Sequence, residues 1–211
     1  CHEGFCSKLA GLSLKNVIFS LFEQDKKKPI FSELGEMLFT HTGVSGPLAL
    51  SSSAYIKHLG KKEYKAFIDL KPALDEAQLD KRILRDFSES PNKDFGNSLD
   101  KLLPKSIIPV IVSLSKIPSD TKVNQISREQ RRELIRVIKN LELHINGFGN
   151  IEEAIVTSGG VSVKEISPTT MMSKLIYGLF FAGEVIDVDA FTGGFNLQIA
   201  FSTGYLAGLN M

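Results

Sequence analysis

The stretch GLFFAGEVIDVDAFTGGFNLQIAFSTGYLAG occupies residues 178–208 of the sequence. The residues at 179–182 are all apolar, which predicts a buried strand. The closing part places apolar residues such as Leu197 and Phe201 three or four positions apart, which predicts a helix packed closely against other backbone. Glycines and acids separate the two elements. This order predicts a ligand between the end of a strand and the start of a helix.

The start of this helix, at 193–196, indicates which ligands would fit. The first N–H groups of a helix have no helical acceptor and carry partial positive charge, and glycine lets a ligand approach them closely. Glu184, Asp187 and Asp189 come just before the helix, and their carboxylates suit sugar or ribityl hydroxyls better than a phosphate. The pattern therefore favours a flavin over a free nucleotide. A tight turn with solvated acids is the alternative that needs no ligand.

Composition places few limits on function. The 211 residues are 43% hydrophobic and 23% charged, with a formal net charge of +1, as is ordinary for a globular protein of one or two domains. This balance gives no electrostatic argument for a nucleic-acid or membrane partner, and we expect neither. No apolar run approaches the ~18–20 residues that span a bilayer, and no signal peptide is recognisable.

The two cysteines are residues 1 and 6. A disulfide between them would close a short loop and stabilise little, so we expect free thiols, a reducing compartment and a cytoplasmic protein. His2 would not complete a zinc site, and no metal is predicted. Because residue 1 is not Met, we expect a fragment or a processed product.

Hydrophobic periodicity predicts strands at 12–23, 30–42 and 62–70, the first two joined by a hairpin turn, and a helix that starts with Pro47. Capping boxes formed by Asp75 with Gln78 and by Ser127 with Gln130 then predict helices. Strands are predicted to resume at 141–148 and 152–166.

This order predicts an α+β (mixed α/β) fold: a β-rich domain with a helical insertion, followed by a strand–helix part. The predicted divisions are a first β-rich part at 1–72, the helical insertion at 73–140, a β-rich return at 141–168 and a final part at 169–211.

The helix after Ser127 is rich in basic residues. They are Arg128, Arg131, Arg132, Arg136 and Lys139. A nucleic-acid surface would fit this charge, but no aromatic residues interleave and acids lie nearby, so a solvated helix face is the preferred interpretation.

Three long motifs resemble one protein family. They are LGEMLFTHTGVSGPLAL at 34–50, EEAIVTSGGV at 152–161 and TTMMSKLIYGLFFAGEVIDVDAFTGGFNLQIAFSTGYLAG at 169–208. In this order they resemble the bacterial BaiN/YhiN-type, aminoacetone-oxidase-like family of NAD(P)/FAD-dependent oxidoreductases, from near Leu9 to the C-terminus. The resemblance implies a two-dinucleotide-type FAD-binding domain split between the chain ends. It also implies hydride or electron transfer through FAD to or from a small molecule, with NAD(P)H as a candidate donor.

The resemblance implies which residues contact FAD. Glu184 matches an acid that holds ribityl or ribose hydroxyls, and the helix start faces the isoalloxazine carbonyl and favours the reduced flavin. TSGGV at 157–161 matches backbone close to the ring, although a glycine bulge between strands is the alternative. The implied set is Gly159, Gly160, Val161, Gly183, Glu184, Asp187, Gly194, Phe195, Asn196, Leu197 and Gln198.

The sequence departs from the family pattern in three places. The family has an acid where Met171 or Met172 stands, so these methionines receive no role, and usually Gly where Ala190 stands. More importantly, the strand, Gly-rich turn and helix that hold the FAD pyrophosphate are absent from the sequence. The chain therefore resembles the C-terminal portion of the family. We expect a missing N-terminal FAD-binding half as partner, and weak FAD binding by this chain alone.

No catalytic acid or base is identified from the sequence. His41, inside the first motif, is a candidate for the substrate side of the flavin, but a hydrogen-bonded histidine at a strand–helix junction is the preferred interpretation. One alternative function is a non-enzymatic protein- or RNA-binding module that uses the helical insertion. Another is a hydrolase that uses His41 and Ser45, which lacks the strand–Gly-x-Ser-x-Gly–helix context of such enzymes.

Overall fold

The computed structural model describes residues 3–211, and the chain forms two compact units, residues 1–147 and 148–211. The predictions for Cys1 and His2 lie outside the described residues. Cys6 is a free, buried cysteine, as predicted. Burial raises the pKa of the Cys6 thiol, and the nearby Glu3 carboxylate raises it further, so this thiol is a neutral core group rather than a nucleophile.

The first unit contains five strands and five α-helices within its described residues. In chain order they are α1 (Phe5–Lys8), β1 (Ser13–Glu23), β2 (Phe31–Thr40), β3 (Gly43–Ser45), α2 (Pro47–Ser53), β4 (Tyr64–Asp69), α3 (Glu76–Ser88), α4 (Ile108–Ser115), α5 (Arg128–Lys139) and β5 (Leu141–Ile145). Short 3-10 turns lie at Phe95–Asn97 and Val123–Gln125.

The strands form one antiparallel sheet in the order β3-β2-β1-β4-β5. Along the central strand β1, Val17, Phe19 and Leu21 are buried and the intervening residues are less so, because alternate side chains of a strand point to opposite faces. The predicted strands at 12–23 and 62–70 and the predicted hairpin are confirmed. The strand predicted from residue 141 is also confirmed, although it ends at Ile145.

Gly46 has a conformation that the turn into α2 requires. Its φ is +89°, and a Cβ there would lie 3.1 Å from the Cα of Met37. Only glycine avoids both the left-handed strain and the backbone clash. Pro47 then occupies the first turn of α2, as predicted, where its missing N–H has no helical acceptor to lose.

Both predicted capping boxes are confirmed. Asp75 accepts a hydrogen bond from the Gln78 backbone N–H at 2.7 Å, and Ser127 accepts one from the Gln130 N–H at 3.2 Å. In each box the glutamine side-chain oxygen in turn accepts a hydrogen bond from the backbone N–H of the capping residue. These local contacts fix where α3 and α5 begin, which explains why the sequence alone located both helices.

Helix α5 joins the helices to the sheet. It contacts α3, α4, β4 and β5, and its apolar side chains belong to one continuous core with sheet residues such as Ile68 and Leu143. Just after β4, the Leu70 N–H donates to the Ile138 carbonyl at 3.0 Å. Lys139 forms an ion pair with Asp69 at 2.6 Å. The sheet and the helices therefore share one core rather than packing as separate layers.

Adjacent arginines of α5 have different environments. Arg131 has a side chain only 14% exposed and donates from Nε to Asp80 of α3 at 2.9 Å. Arg132 is exposed. The inward position of Arg131 follows from its spacing to the buried Leu134 and Ile138, which lie three and seven residues later on the same side of the helix.

We expect Arg131→Ala to lower the free energy of unfolding by about 1.5 kcal/mol or more, since it leaves Asp80 without its charged hydrogen-bond partner. Arg132→Ala is the matched control and should change it by less than about 0.5 kcal/mol. Urea unfolding followed by circular dichroism measures both. Equal stability of the two variants would show that the Arg131–Asp80 contact does not hold α3 against α5.

The second unit is built differently. Among residues 148–211, all of which are described, 3-10 turns occur at Ile151–Glu153, Val163–Glu165 and Gly183–Val185, and one long helix, α6, spans Phe195–Asn210. The strands predicted at 152–166 and 179–182 are wrong. Only isolated bridges form there, at Val161–Ile186, Ile166–Ser173 and Met172–Phe180, because no neighbouring strand extends them into a ladder.

The core of the second unit is correspondingly small. Four buried residues form it: Ile166, Met171, Ile186 and Ala207. On α6 only Ala207 is buried. Nowhere in residues 3–211 is there a helix with the length and apolar character needed to cross a membrane.

Candidate functional site

Two of the predicted site segments meet through their backbones. The Val161 N–H donates to the Val185 carbonyl at 2.8 Å, and the Asp187 N–H donates to the Val161 carbonyl at 2.9 Å. These bonds form a parallel bridge between Val161 and Ile186. The structure therefore brings 157–161 and 183–187 together, although they are separated in sequence.

Gly160 makes this approach possible. Its φ is +137°, and a Cβ there would lie only 2.5 Å from the Val185 carbonyl oxygen. The neighbouring Gly159 also has a positive φ, +113°, but nothing lies within 4 Å of its ideal Cβ position. Position 160 therefore requires glycine because a side chain would clash with the neighbouring backbone. Position 159 favours glycine only because of its positive φ, since the space beside it is open.

The N-terminus of α6 presents free backbone donors. Gly194, with φ +92°, is the N-cap and makes no side-chain capping bond. The first helical bond at this end is from the Gln198 N–H to the Gly194 carbonyl, at 3.0 Å. The N–H groups of residues 195–197 consequently have no acceptor within the helix and mark its positive dipole end.

Two side chains of α6 hold the loop that precedes it. The Asn196 amide accepts from the Ala190 N–H at 2.8 Å and donates to the Ala190 carbonyl at 3.0 Å. Thr203 accepts from the Gly183 N–H at 3.0 Å. The loop is therefore attached to the helix at both ends, and the Asn196 side chain is occupied. Only the main-chain N–H of Asn196 is left to serve the predicted ligand.

The acids of this loop remain accessible. Glu184, Asp187 and Asp189 are exposed, and their side chains form no hydrogen bond or ion pair within the described residues. Carboxylates in this state can accept hydrogen bonds from ligand hydroxyls. Within residues 3–211, no group of three or more His, Cys, Asp or Glu side chains is arranged to hold a metal ion.

The structure therefore arranges the predicted residues in three places of the second unit. Gly159, Gly160 and Val161 lie against the 183–187 segment, the acids Glu184 and Asp187 project from that segment, and residues 194–198 begin α6. The Gln198 side chain instead donates along the helix to Ser202 at 3.0 Å. The role of the predicted residues in binding a cofactor stays a prediction.

His41 lies in the first unit, in the exposed turn between β2 and β3. No hydrogen bond or ion pair of its side chain is observed within the described residues. The preferred interpretation, a hydrogen-bonded histidine, is therefore not supported, and neither is a base activating Ser45.

Sequence reasoning missed two supporting residues, Thr203 and Met171, and the role of the Asn196 side chain. Asn196 and Thr203 orient the loop, and the Met171 carbonyl, at a residue with φ +63°, accepts a hydrogen bond from the Phe181 N–H at 3.0 Å. A polar Thr inside an apolar helix was the available signal for Thr203. Leu197 and Phe201, for which close packing was predicted, are 63% and 71% exposed, so the described residues do not supply that packing.

We expect Gly160→Ala to open the bridge between segments 157–161 and 183–187. The added methyl group should lower the free energy of opening this bridge by more than the ~1–3 kcal/mol that a strained backbone alone costs. Gly159→Ala, which adds the same methyl group into open space, should cost only that conformational part. Amide hydrogen exchange at Val161 and Asp187 measures the effect, and protection should fall much further in Gly160→Ala. Similar protection in both variants would exclude a tight contact between Gly160 and Val185.

Comparison with known proteins gives two family matches. The profile of the HI0933-like protein barrel and H2TH domain matches residues 2–156, and that of the HI0933-like protein Rossmann domain matches residues 105–210. Together they cover almost the whole chain.

Three curated relatives are similar along most of the chain. A 3-dehydro-bile acid delta(4,6)-reductase of Clostridium scindens is 32% identical, over 86% of this chain and 45% of the relative. Ribosomal RNA dihydrouridine synthases of Haemophilus influenzae and Escherichia coli are 33% and 32% identical, over 99% and 93% of this chain and 48% and 46% of the relatives. The chain thus spans about half the length of the curated relatives it matches.

Proposed function

The chain belongs to the HI0933-like family, as its resemblance to BaiN/YhiN-type flavoproteins predicted, and from this premise we propose that it supplies the flavin-ring side of an FAD-dependent oxidoreductase. The observation that carries the proposal is the uncapped start of α6 beside accessible carboxylates. The donors match a carbonyl of the flavin ring, and the carboxylates match the ribityl or ribose hydroxyls of FAD.

The residues present fit such a cofactor. In this proposal, the N–H groups at 195–197 donate to a ring carbonyl, and Glu184 and Asp187 accept from ribityl or ribose hydroxyls. Positive potential at the helix start would stabilise negative charge on a reduced ring. When bound, FAD supplies hydride-transfer chemistry, while this chain orients it and sets its electrostatic surroundings.

The names of the relatives indicate one reaction class. A delta(4,6)-reductase and a dihydrouridine synthase both saturate a carbon–carbon double bond. We extend this class to the complete protein, which would add a hydride and a proton across a double bond conjugated to a carbonyl, with NAD(P)H as the reductant. His41 is the only catalytic candidate from the sequence, and no contact in the structure supports it.

A complementary part is needed to hold the rest of the cofactor. The sequence contains no strand, Gly-rich turn and helix of the type that binds a pyrophosphate, and α6 exposes one line of apolar side chains. These are Leu197, Phe201, Tyr205 and Leu209. We propose that this line packs on the parallel sheet of the FAD-binding half, which lies outside these 211 residues.

The first test is the visible absorbance of the purified chain after incubation with FAD and removal of the excess. We expect no retained flavin band, because each missing charge-assisted hydrogen bond to the pyrophosphate is worth about 1.5–3 kcal/mol. Adding the part of the H. influenzae relative that this chain does not match should restore the band. A stable band without that part would show that the 211 residues hold the cofactor alone.

In the complemented protein we expect Glu184→Gln to weaken FAD binding about tenfold, by removing a charged acceptor worth about 1.5 kcal/mol. Glu165→Gln, an exposed acid in the same unit but outside the site, is the matched control and should bind FAD normally. Titration followed by flavin fluorescence measures both affinities. An unchanged affinity for Glu184→Gln would remove this residue from the proposed site.

A further inference from the structure

The chain leaves β5 through an exposed Asn-Gly pair. The segment INGFGN occupies residues 145–150, and Asn146 and Gly147 come directly after the end of β5 at Ile145. Gly147 is also the last residue of the first compact unit. No other asparagine of the 211 residues precedes a glycine. The pair therefore combines a unique local sequence with a position at the boundary between the two units.

Neither residue of the pair is held by neighbouring groups. Both are exposed, and residues 146–150 have no regular secondary structure. Within the described residues, the Asn146 side-chain amide and the Gly147 main-chain N–H form no hydrogen bond. An ideal Cβ at Gly147 would meet nothing within 4 Å. The backbone of the pair can therefore change conformation without losing a contact, and water reaches both residues.

An asparagine in such a setting can react with the main chain that follows it. The main-chain nitrogen of the next residue attacks the Cγ atom of the asparagine, a C–N bond forms, and the side-chain nitrogen leaves as ammonia. The product is a five-membered succinimide ring. A Cβ on the attacking residue hinders this approach, and a branched Cβ hinders it most, whereas glycine presents only hydrogen.

We propose that Asn146 is a site of spontaneous deamidation, in which the attacking nitrogen is that of Gly147. Water then opens the succinimide at either of its carbonyl carbons. One opening leaves an aspartate at position 146, and the other leaves an isoaspartate, in which the main chain runs through the former side chain. The net change is the addition of water and the loss of ammonia, so the reaction requires no oxidant, reductant or cofactor.

Other asparagines of the chain lack these conditions. Asn150 is exposed in the same segment, but the residue after it is Ile151, whose branched Cβ hinders attack by its own nitrogen. The Asn196 amide is bound on both sides by the Ala190 backbone, so its Cγ is not free to turn towards the main chain. The reaction is therefore specific to Asn146 rather than general to asparagine.

Either product changes the connection between the two units. A new carboxylate appears directly after β5, in a stretch that already contains the exposed acids Glu152 and Glu153. The isoaspartate product also adds a methylene group to the main chain between the units. Asn146 and Gly147 belong to neither hydrophobic core, so the modification alters the connection and leaves the packing of both cores intact.

The test is prolonged incubation of the purified chain in mildly alkaline buffer, followed by peptide mass spectrometry. Deamidation exchanges a side-chain NH2 group for OH, and chromatography separates the aspartyl from the isoaspartyl peptide. We expect both products at position 146, with conversion at least about tenfold above that of Asn150 in the same molecules. Conversion should slow in mildly acidic buffer, because the attacking nitrogen must lose its proton.

Gly147→Ala is the decisive variant, and Gly149→Ala is its matched control. Both glycines lie outside the left-handed region and have open space at the Cβ position, so the fold accommodates the added methyl group equally well at either place. Only Gly147 supplies the attacking nitrogen. We expect Gly147→Ala to slow conversion at position 146 by at least about fivefold, and Gly149→Ala to change it by less than about twofold.

Three results would overturn the proposal. The first is an absence of conversion at Asn146 in the folded chain when the same peptide converts in urea, which would show that the fold holds the pair. The second is equal conversion at Asn146 and Asn150. The third is unchanged conversion in Gly147→Ala with aspartate as the only product, which would identify direct hydrolysis by water. None of these measurements requires a flavin, so their outcome is independent of the reductase function proposed above.

Discussion

The candidate site depends on the close backbone contact between Gly160 and the segment 185–187. Two hydrogen bonds replace what a strand ladder would otherwise provide, and they require a residue without a side chain at position 160. The same segment continues into the loop that Asn196 and Thr203 fasten to α6. One steric constraint thus fixes the acids of the loop and the start of the helix within a single unit.

In the first unit, α5 has the corresponding role. Its buried side completes the core shared by the sheet and the helices. At its C-terminal end, Lys139 and the Ile138 carbonyl bind Asp69 and Leu70, which lie at the end of β4 and just after it. Because packing sets the rotation of the helix, it also decides which basic residues reach solvent. The surface chemistry of α5 is therefore a consequence of its core.

Local signals predicted the first unit well. Alternation along β1, Pro47 after Gly46, and the two capping boxes act within a few residues, so the sequence contains them in full. The strands expected in the second unit failed because a buried strand needs neighbours, and residues 148–211 supply none. The glycines at the start of α6 followed from the strand–helix pattern, whereas Gly159 and Gly160 followed from the family resemblance. The use of the Asn196 side chain within the loop depends on tertiary contacts that spacing does not reveal.

The apolar line on α6 has a consequence for the life of the protein in a cell. Leu197, Phe201, Tyr205 and Leu209 are each more than 60% exposed, and contiguous apolar surface of this kind promotes aggregation. Chaperones and proteases act on the same surface. Under the proposed assembly with an FAD-binding half, an uncovered α6 would mark a copy that has not yet been assembled.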